Sequence, residues 1–321
     1  MAQFRVGCVP YVNARPLVAA FDQPNEFVDV VYDVPSRLPA LLDSGEVDAI
    51  LVSSIELLRR DDLLPVAEVG IMSYGPVRSV RMLSKVPLAE IKTLALDKSS
   101  LTSNILAQII LAEQGVFPAT ETADPDPTEM LKNHDACVVI GDIGFEAYGT
   151  GLVDIDLGQA WTDMTGMPFV WAMWLGKITR PMDSQKLWTM LYLAFQASGF
   201  SSLHSQLNRS KNETGDLEDP WKEELYKIPG EREKMERYCA DQSQRRDYVI
   251  NSTLPRCNWE AAQIESYLLH NVRYTSTDSR DALETFRNLI EKHSLCHLHK
   301  PPPDSFDLAK QILALIPTDQ S

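Results

Sequence analysis

The amino-acid sequence predicts an α/β protein that is divided into two lobes. Short segments rich in valine and isoleucine alternate with amphipathic helical patterns, and this alternation favours mostly parallel sheets covered by helices. The length of 321 residues is typical of two domains. Segments 84–92 and 168–176 are predicted to cross between the lobes. We therefore expect lobe one to comprise residues 1–86 and 176–321, and lobe two residues 87–175.

The individual elements follow from hydrophobic periodicity and from residues that favour turns. Segments with many β-branched residues are predicted as strands, at 4–9, 28–34, 47–52, 66–71, 77–83, 92–97, 136–142, 152–157 and 167–176. Helical patterns are predicted at 36–45, 100–115, 184–200, 232–248, 259–274, 280–293 and 304–316. Segments 120–130 and 204–220 are rich in turn-forming residues and are expected to be loops.

The balance of charge excludes some classes of partner. The chain carries 45 acidic and 30 basic side chains, which gives a formal net charge of −15. Such a surface repels phosphate backbones and anionic membranes, so we expect neither nucleic acid nor a membrane as partner. A site for a small anion would have to be built from local hydrogen-bond donors.

The start of the chain and the cysteines indicate a cytoplasmic protein. The first residues enter a strand pattern without a basic segment followed by an apolar stretch, as an export signal would require. The five cysteines are odd in number and widely scattered, which is typical of reduced thiols rather than of disulfides or a zinc site.

Polar residues follow several of the predicted strands. They lie in the segments 10–16 with Asn13, 53–56 with Ser54, 73–79 with Ser79, 97–103 with Ser100, Thr102 and Ser103, and 141–144 with Gly141 and Asp142. Ligands of open α/β sheets bind outside the carboxyl ends of the strands. Hydroxyls and free N–H groups at a helix start favour a carboxylate or phosphate. Together these turns predict a cleft that binds a small anion.

Each of these residues also has a simpler interpretation. Ser100 with its neighbours can be a helix N-cap, and Asn13 can serve only to shape a turn. Gly141 and Asp142 are more often part of a turn than of a catalytic site. Phe169 can line the cleft or belong to the core, as can the tryptophans near it.

Recognised catalytic motifs are scarce in this sequence. No nucleophile elbow, phosphate-binding loop, dinucleotide fingerprint or HExxH motif occurs in it. The histidines at 293, 297 and 299 have a loose metal-like spacing, but they precede three prolines and are interpreted as part of a linker. No metal is expected.

In order along the chain, several motifs resemble those of one known family. They are RVGCVPYVNARPL, VPSRLPALLDSGEVDAILVSSIE, SYGPVRSVRMLSK, ALDKSSLTS, VIGDIGF, DLGQAWTDMTGMPFVWAMW and NVRYTSTDSRDALETFRNLIEKH. The family includes chorismate dehydratase and the later naphthoate synthase of the futalosine route to menaquinone. The resemblance covers roughly residues 4–176 and the helices near the C-terminus.

This resemblance implies a two-lobed fold like that of the type II periplasmic binding proteins, with mixed sheets and a central cleft. It implies the loss of water from chorismate to give 3-[(1-carboxyvinyl)oxy]benzoate, without a cofactor. Asn13 falls on a functional asparagine of the dehydratase branch. The carboxylate-binding positions fall on Ser54, Ser79, Ser100, Thr102 and Ser103. Gly141, Asp142 and Phe169 complete the set of expected substrate contacts.

Two alternatives stay open. The naphthoate synthase branch, which makes 1,4-dihydroxy-6-naphthoate, is expected to use a histidine near the second-lobe strand end, and segment 137–149 contains none. A cytosolic solute-binding protein without activity would have the same fold.

Segment 205–260 and the tail after Leu298 are longer than the resemblance implies, which leaves a homodimer open. Formation of an aromatic ring makes the catalytic demand modest, and the expected site residues offer no histidine or glutamate base. We therefore expect the substrate's own enolpyruvyl carboxylate to take the proton.

Overall fold

Two five-stranded mixed sheets organise the protein in a computed structural model that describes residues 2–23, 25–147, 151–177, 181–201, 242–274 and 279–299. The strands are β1 Phe4–Cys8, β2 Val28–Tyr32, β3 Ala49–Ser53, β4 Leu64–Ser73, β5 Val80–Ser84, β6 Thr93–Asp97, β7 Ala119–Ala123, β8 Ala136–Ile140, β9 Val153–Asp156 and β10 Phe169–Gly176. The α-helices are α1 Arg15–Val18, α2 Leu38–Asp43, α3 Ile55–Arg59, α4 Leu101–Ala112, α5 Pro127–Asn133, α6 Gly141–Glu146, α7 Leu157–Thr165, α8 Pro181–Ala197, α9 Gln242–Thr253, α10 Ala261–His270 and α11 Ser279–His293. The predicted α/β class is confirmed.

The first sheet has the strand order β2-β1-β3-β10-β4. Strand β1 runs parallel to β2 and β3, whereas β10 runs antiparallel to β3 and β4. The sequence of β10, FVWAMWLG, is apolar almost throughout, and only Ala172 in it is half-buried rather than buried. A continuous apolar segment of this kind suits a strand that is covered on both faces. Trp174 on β10 is fully buried.

The second sheet has the order β7-β6-β8-β5-β9. Strand β6 is parallel to β7 and β8, and β5 is antiparallel to β8 and β9. Every residue of β5 is buried, including Arg81. Its guanidinium pairs with Asp154 and Asp156 of the neighbouring strand β9, which compensates the buried charge.

The passage between the lobes differs from the expected position. We placed residues up to 86 in lobe one, but β5 pairs entirely within the second sheet. The chain therefore passes from the first sheet to the second between Ser73 and Val80, and not at 84–92. The return also lies earlier than the expected boundary, because residues up to 175 were assigned to lobe two and β10 belongs wholly to the first sheet. Alternating apolar residues could not distinguish the last strand of one sheet from the first strand of the next.

The segment 120–130, which we expected to be a loop, contains regular structure instead. Strand β7 is an edge strand whose residues are mostly exposed, so it lacks the apolar alternation that predicts strands. Helix α5 follows, with Pro127 in its first turn and the Asp126 carboxylate accepting hydrogen bonds from the N–H groups of Thr128 and Glu129. Proline and aspartate here mark a helix start rather than a turn.

The remaining elements agree with the predicted patterns where the structure describes them. Helices α2, α4, α8, α10 and α11 lie within or close to their predicted segments. Gly141 and Asp142, expected in a turn, instead form the first turn of α6. The predicted loop 204–220, the start of helix 232–248 and the helix 304–316 lie outside the described residues. No helix among the described residues combines the length and the apolar composition needed to cross a membrane.

The segment after α10 returns to the first sheet. The N–H of Gly70 donates to the carbonyl of Tyr274, and Met72 and Arg273 exchange two backbone hydrogen bonds of 2.7 and 2.8 Å. Helix α11 packs on β10, where Phe286 contacts Phe169 with ring centroids 5.1 Å apart. The C-terminal helices are thus attached to the same strands that approach the second sheet.

Substitution of Gly70 by alanine should destabilise the protein. A Cβ atom at Gly70 would lie 2.5 Å from the carbonyl oxygen of Ala172 on the adjacent β10, and neither backbone can move freely. We expect Gly70→Ala to lower the free energy of unfolding by about 1–3 kcal/mol, as other overpacking substitutions do. Urea denaturation should show a lower midpoint with an unchanged slope. Thr120→Ala, on the exposed edge strand β7, should change the stability by less than about 0.5 kcal/mol.

Candidate functional site

A cleft lies between the carboxyl ends of the strands of the first sheet and the facing turns of the second. Its empty volume is about 560 Å³, including the solvent at its mouth. The wall is formed by Val9, Tyr11, Asn13, Pro35, Val52, Ser53, Ile71, Val77, Ser79, Val80, Ser99, Ser100, Ser103, Ile140, Gly141, Trp171 and Ala172. None of these described lining residues carries a formal charge.

Asn13 lies in the turn between β1 and α1. Its carbonyl accepts a hydrogen bond of 3.0 Å from the hydroxyl of Tyr274. The helix that follows begins with Arg15, which is almost fully buried and donates to the hydroxyls of Tyr32 and Ser252 at 2.8 and 3.0 Å. The turn is therefore held on both sides. The Oδ1 atom of Asn13 is buried, and no hydrogen-bond partner for it occurs in the described part of the chain.

Ser79 lies on the passage between the two sheets. The carboxylate of Asp156, the N-cap of α7, accepts hydrogen bonds from the N–H groups of Val77 and Arg78 at 3.0 and 2.6 Å. Arg78 has a φ of 64°, an uncommon conformation that these bonds help to hold. The hydroxyl of Ser79 is 2.7 Å from that of Tyr267 on α10.

The start of α4 contributes three serines to the cleft. Ser100 is the N-cap, and its hydroxyl accepts from the N–H of Ser103 and donates to the Ser103 hydroxyl at 2.8 Å. The capping interpretation of Ser100 is therefore confirmed. Capping leaves N–H groups of the first turn free for a ligand in the cleft. A carboxylate is favoured there by these donors and by the helix dipole.

Asp97 supports this helix start from below. It is fully buried at the end of β6, and its Oδ1 accepts hydrogen bonds from the N–H and the hydroxyl of Ser99 at 2.8 and 2.5 Å. Burial raises the pKa of Asp97, and the bonds from Ser99 offset part of this shift. Burial likewise raises the pKa of Tyr11, whose hydroxyl is near Ser99. Asp97 thus fixes a serine that lines the cleft.

Some of the predicted site residues lie outside the cleft wall. The hydroxyl of Ser54 is buried and donates to the carbonyl of Val170 at 2.6 Å. Thr102 accepts a hydrogen bond of 3.3 Å from the N–H of Ile55. Phe169 packs in the core against Trp161 and Phe286. The side chains of these three residues are therefore occupied within the protein and do not line the cleft. Their contact with a ligand stays a prediction.

Asp142 has an intermediate position. It lies half-buried in the first turn of α6, beside Gly141, which lines the cleft against the ring of Tyr11. Burial, followed by repulsion from Glu146, raises the pKa of Asp142 to about 6. A carboxyl with this pKa is partly protonated near neutrality, so Asp142 is the acidic side chain near the cleft that a proton-transfer role would use.

Sequence reasoning missed several residues of the cleft. Tyr11 and Ser99 lie within the polar turns already singled out, so their neighbours gave a signal for them. Tyr267, which contacts Ser79 from behind the wall, gave no signal, because it lies on an amphipathic helix far along the chain and has the pattern of a core residue. No group of three or more metal-ligating side chains occurs in the part of the chain that the structure describes.

The architecture defines a class of protein, namely two α/β lobes with a ligand cleft between them. It is similar to the ligand-binding component of an ABC-type import system from Staphylococcus aureus, with a TM-score of 0.57, 11% identity, and coverage of 96% of this chain and 98% of that one. The periplasmic aliphatic sulphonate binding protein SsuA from Escherichia coli aligns with a TM-score of 0.54 and 16% identity, over 91% of this chain and 92% of that one. These similarities show the fold alone.

The sequence comparison narrows this class to one family. A family model described as menaquinone biosynthesis matches residues 4–292, so this chain belongs to that family. A chorismate dehydratase from Thermus thermophilus is 31% identical over 201 residues, which are 56% of this chain and 72% of the relative. A chorismate dehydratase from Campylobacter jejuni is 30% identical over 176 residues, which are 52% of this chain and 64% of the relative.

Replacing Asp97 by asparagine should change how stability depends on pH. Because burial raises the pKa of Asp97, the folded protein binds this proton more tightly than the unfolded chain. The free energy of unfolding therefore falls as the pH rises from the ordinary carboxyl value, about 4, towards the raised value. Asp97→Asn removes this titration, so wild type should lose stability relative to the variant as the pH rises above about 4. If chemical denaturation gives free energies of unfolding for wild type and Asp97→Asn that change with pH in parallel, the pKa of Asp97 does not change on folding.

Proposed function

We propose that this protein is a chorismate dehydratase, which forms 3-[(1-carboxyvinyl)oxy]benzoate and water. The observation that carries the proposal is that Asn13, Ser79 and the serines of α4 line one charge-free cleft. Relatives that carry this activity in their names support it. We further propose that the protein acts in the cytoplasm on a small-molecule substrate; whether it forms a homodimer stays a prediction.

The chemistry of chorismate makes modest demands on such a cleft. The ring hydrogen at carbon 3 is acidic because it is vinylogous to the ring carboxylate, and the hydroxyl at carbon 4 is the leaving group. The substrate's enolpyruvyl carboxylate takes the proton from carbon 3 and returns it to the departing oxygen at carbon 4. The C–H and C–O bonds break, one water leaves, and the ring becomes aromatic. No oxidant, reductant or cofactor is needed for this balance.

The protein then supplies positioning and hydrogen bonds. A carboxylate of the substrate can accept from the free N–H groups and hydroxyls at the start of α4 and from Ser79. Asn13 fixes the reacting part of the ring through its side-chain amide. Intramolecular proton transfer between well-positioned groups reaches effective molarities of roughly 10⁵ M or more, so holding one conformation accounts for much of the rate.

A direct assay tests this proposal. Purified protein incubated with chorismate should produce a new aromatic absorbance and release 3-[(1-carboxyvinyl)oxy]benzoate, identified by mass spectrometry. The naphthoate synthase alternative is less favoured because none of the described residues lining the cleft is a histidine. Binding of chorismate without conversion would instead indicate a solute-binding protein.

Asn13→Ala should cut turnover strongly while leaving the fold intact. The side chain lines the cleft and its Oδ1 has no partner among the described residues, so the change removes the acceptor that Asn13 presents to the ligand. We expect a loss of about 100-fold or more in kcat, as for removal of a positioned hydrogen-bonding group. Asn133→Ala, at the exposed end of α5, is the matched control and should retain wild-type turnover. Turnover near the wild-type rate in Asn13→Ala would exclude the assigned role.

Asp142 allows the substrate-assisted scheme to be separated from a protein base. If Asp142 were the base, activity would fall below its pKa of about 6, and Glu146→Gln would shift that limb to lower pH by removing a repulsive charge. Asp142→Asn would then lose about 100- to 10,000-fold. We expect Asp142→Asn to keep most of its turnover, and Glu146→Gln to leave the pH profile unchanged.

The companion measurement uses an analogue of the substrate. An analogue of chorismate whose enolpyruvyl carboxylate is replaced by an amide should bind but not react. Fast turnover of this amide, or an inactive but folded Asp142→Asn, would assign the proton transfer to the protein.

A further inference from the structure

Tyr267 links the two polar sides of the cleft from behind its wall. It lies on α10, is 1% exposed, and its ring packs edge-on against the stacked rings of Phe145 and Trp259, with centroids 5.6 and 5.2 Å away. Its hydroxyl is 2.7 Å from the hydroxyl of Ser79. The side chain of Asn13 lies near the same hydroxyl, where it lowers the pKa of Tyr267 as a hydrogen-bonding neighbour does. Burial raises the pKa of Tyr267, so the phenol stays protonated.

The hydrogens available to these groups determine the direction of each bond. An asparagine amide donates only through Nδ2, so a hydrogen bond from Asn13 to Tyr267 uses the nitrogen and leaves Oδ1 as the remaining acceptor. A tyrosine hydroxyl has a single hydrogen. Among the described contacts of the Tyr267 hydroxyl, the hydroxyl oxygen of Ser79 is the acceptor for that hydrogen. Since the Ser79 oxygen then accepts, the hydrogen of Ser79 is free for the cleft.

We propose that Tyr267 is a positioning residue that sets the polarity of the cleft. It accepts from Asn13 and donates to Ser79, so Asn13 presents an acceptor to the ligand and Ser79 presents a donor. The buried and unpaired Oδ1 of Asn13 agrees with this arrangement, because an unsatisfied buried acceptor is costly and a ligand donor would satisfy it. The cleft therefore selects a ligand with a hydroxyl at Asn13 and a carboxylate oxygen at Ser79.

This selection rests on the proposed function and gives Asn13 a defined task in it. The hydroxyl at carbon 4 of chorismate donates to Oδ1 of Asn13. Its oxygen lone pairs then face away from Asn13, towards the carboxyl group that returns the proton. Without Tyr267, the Asn13 amide would be free to rotate and offer Nδ2 instead. The hydroxyl would lose its fixed orientation although every ring contact in the cleft remained.

The test is the variant Tyr267→Phe, which keeps the ring against Phe145 and Trp259 and removes the hydroxyl. Two ligands are compared by calorimetry: the product 3-[(1-carboxyvinyl)oxy]benzoate and its 4-hydroxy derivative, which adds the donor. Wild type should bind the 4-hydroxy ligand about tenfold more tightly, the value of one hydrogen bond to a buried acceptor. Tyr267→Phe should reduce this preference to within about twofold and lower kcat for chorismate by about 10- to 100-fold.

Tyr274→Phe is the matched control, because it removes a second buried tyrosine hydroxyl, one that donates to the backbone oxygen of Asn13 rather than to its side chain. It should lower the melting temperature but keep the preference for the 4-hydroxy ligand. If Tyr267→Phe weakens both ligands equally and keeps the preference, Tyr267 is a packing residue and the proposal fails.

Two further outcomes separate the proposals. If Tyr267→Phe does not fold, Ser79→Ala replaces it: the preference should persist while both ligands bind more weakly, and its disappearance would contradict the assignment of the acceptor to Asn13. If wild type binds both ligands with the expected preference but does not convert chorismate, the proposed function fails and the polarity of the cleft stands.

Discussion

The position of β10 between β3 and β4 in the first sheet is the constraint on which the rest of the structure depends. The strand returns from the second sheet and pairs antiparallel with both β3 and β4. Its first residues hold the ends of both neighbours, since Ser54 donates to Val170 and the indole of Trp171 donates to the hydroxyl of Ser73 at 3.0 Å. The walls of the cleft are therefore set by a strand that is itself buried on both faces.

A second constraint is electrostatic. The chain has a net charge of −15, yet the described residues lining its cleft are uncharged. Aspartates lie instead behind the wall, where Asp156 holds the backbone of the Ser79 turn and Asp97 holds Ser99. An anionic ligand thus meets hydroxyls and N–H groups, whose donors the buried carboxylates keep in place. Hydrogen-bonded dipoles can do this without the cost of burying free charges.

Much of the fold was predictable, because buried strands and amphipathic helices leave strong periodic patterns. Two segments were wrongly predicted because they lack such patterns. Strand β7 is an exposed edge strand without apolar alternation. The passage from Ser73 to Val80 joins two apolar strands, so the sequence does not show where one sheet ends and the next begins. The candidate site was only partly predictable. Strand ends indicated Asn13 and Ser79, but no local pattern relates either residue to Tyr267, which lies more than half the chain away and meets them only through tertiary packing.

The hydrogen bond between Ile55 and Thr102 joins the two sides of the cleft at its base. It connects the helix start that follows β3 to the helix start that follows β6. Two hydrogen-bonding turns that are already held together need not be brought into register when a ligand enters. The associated loss of conformational entropy occurs during folding, so a larger part of the interaction energy with the ligand remains available as affinity.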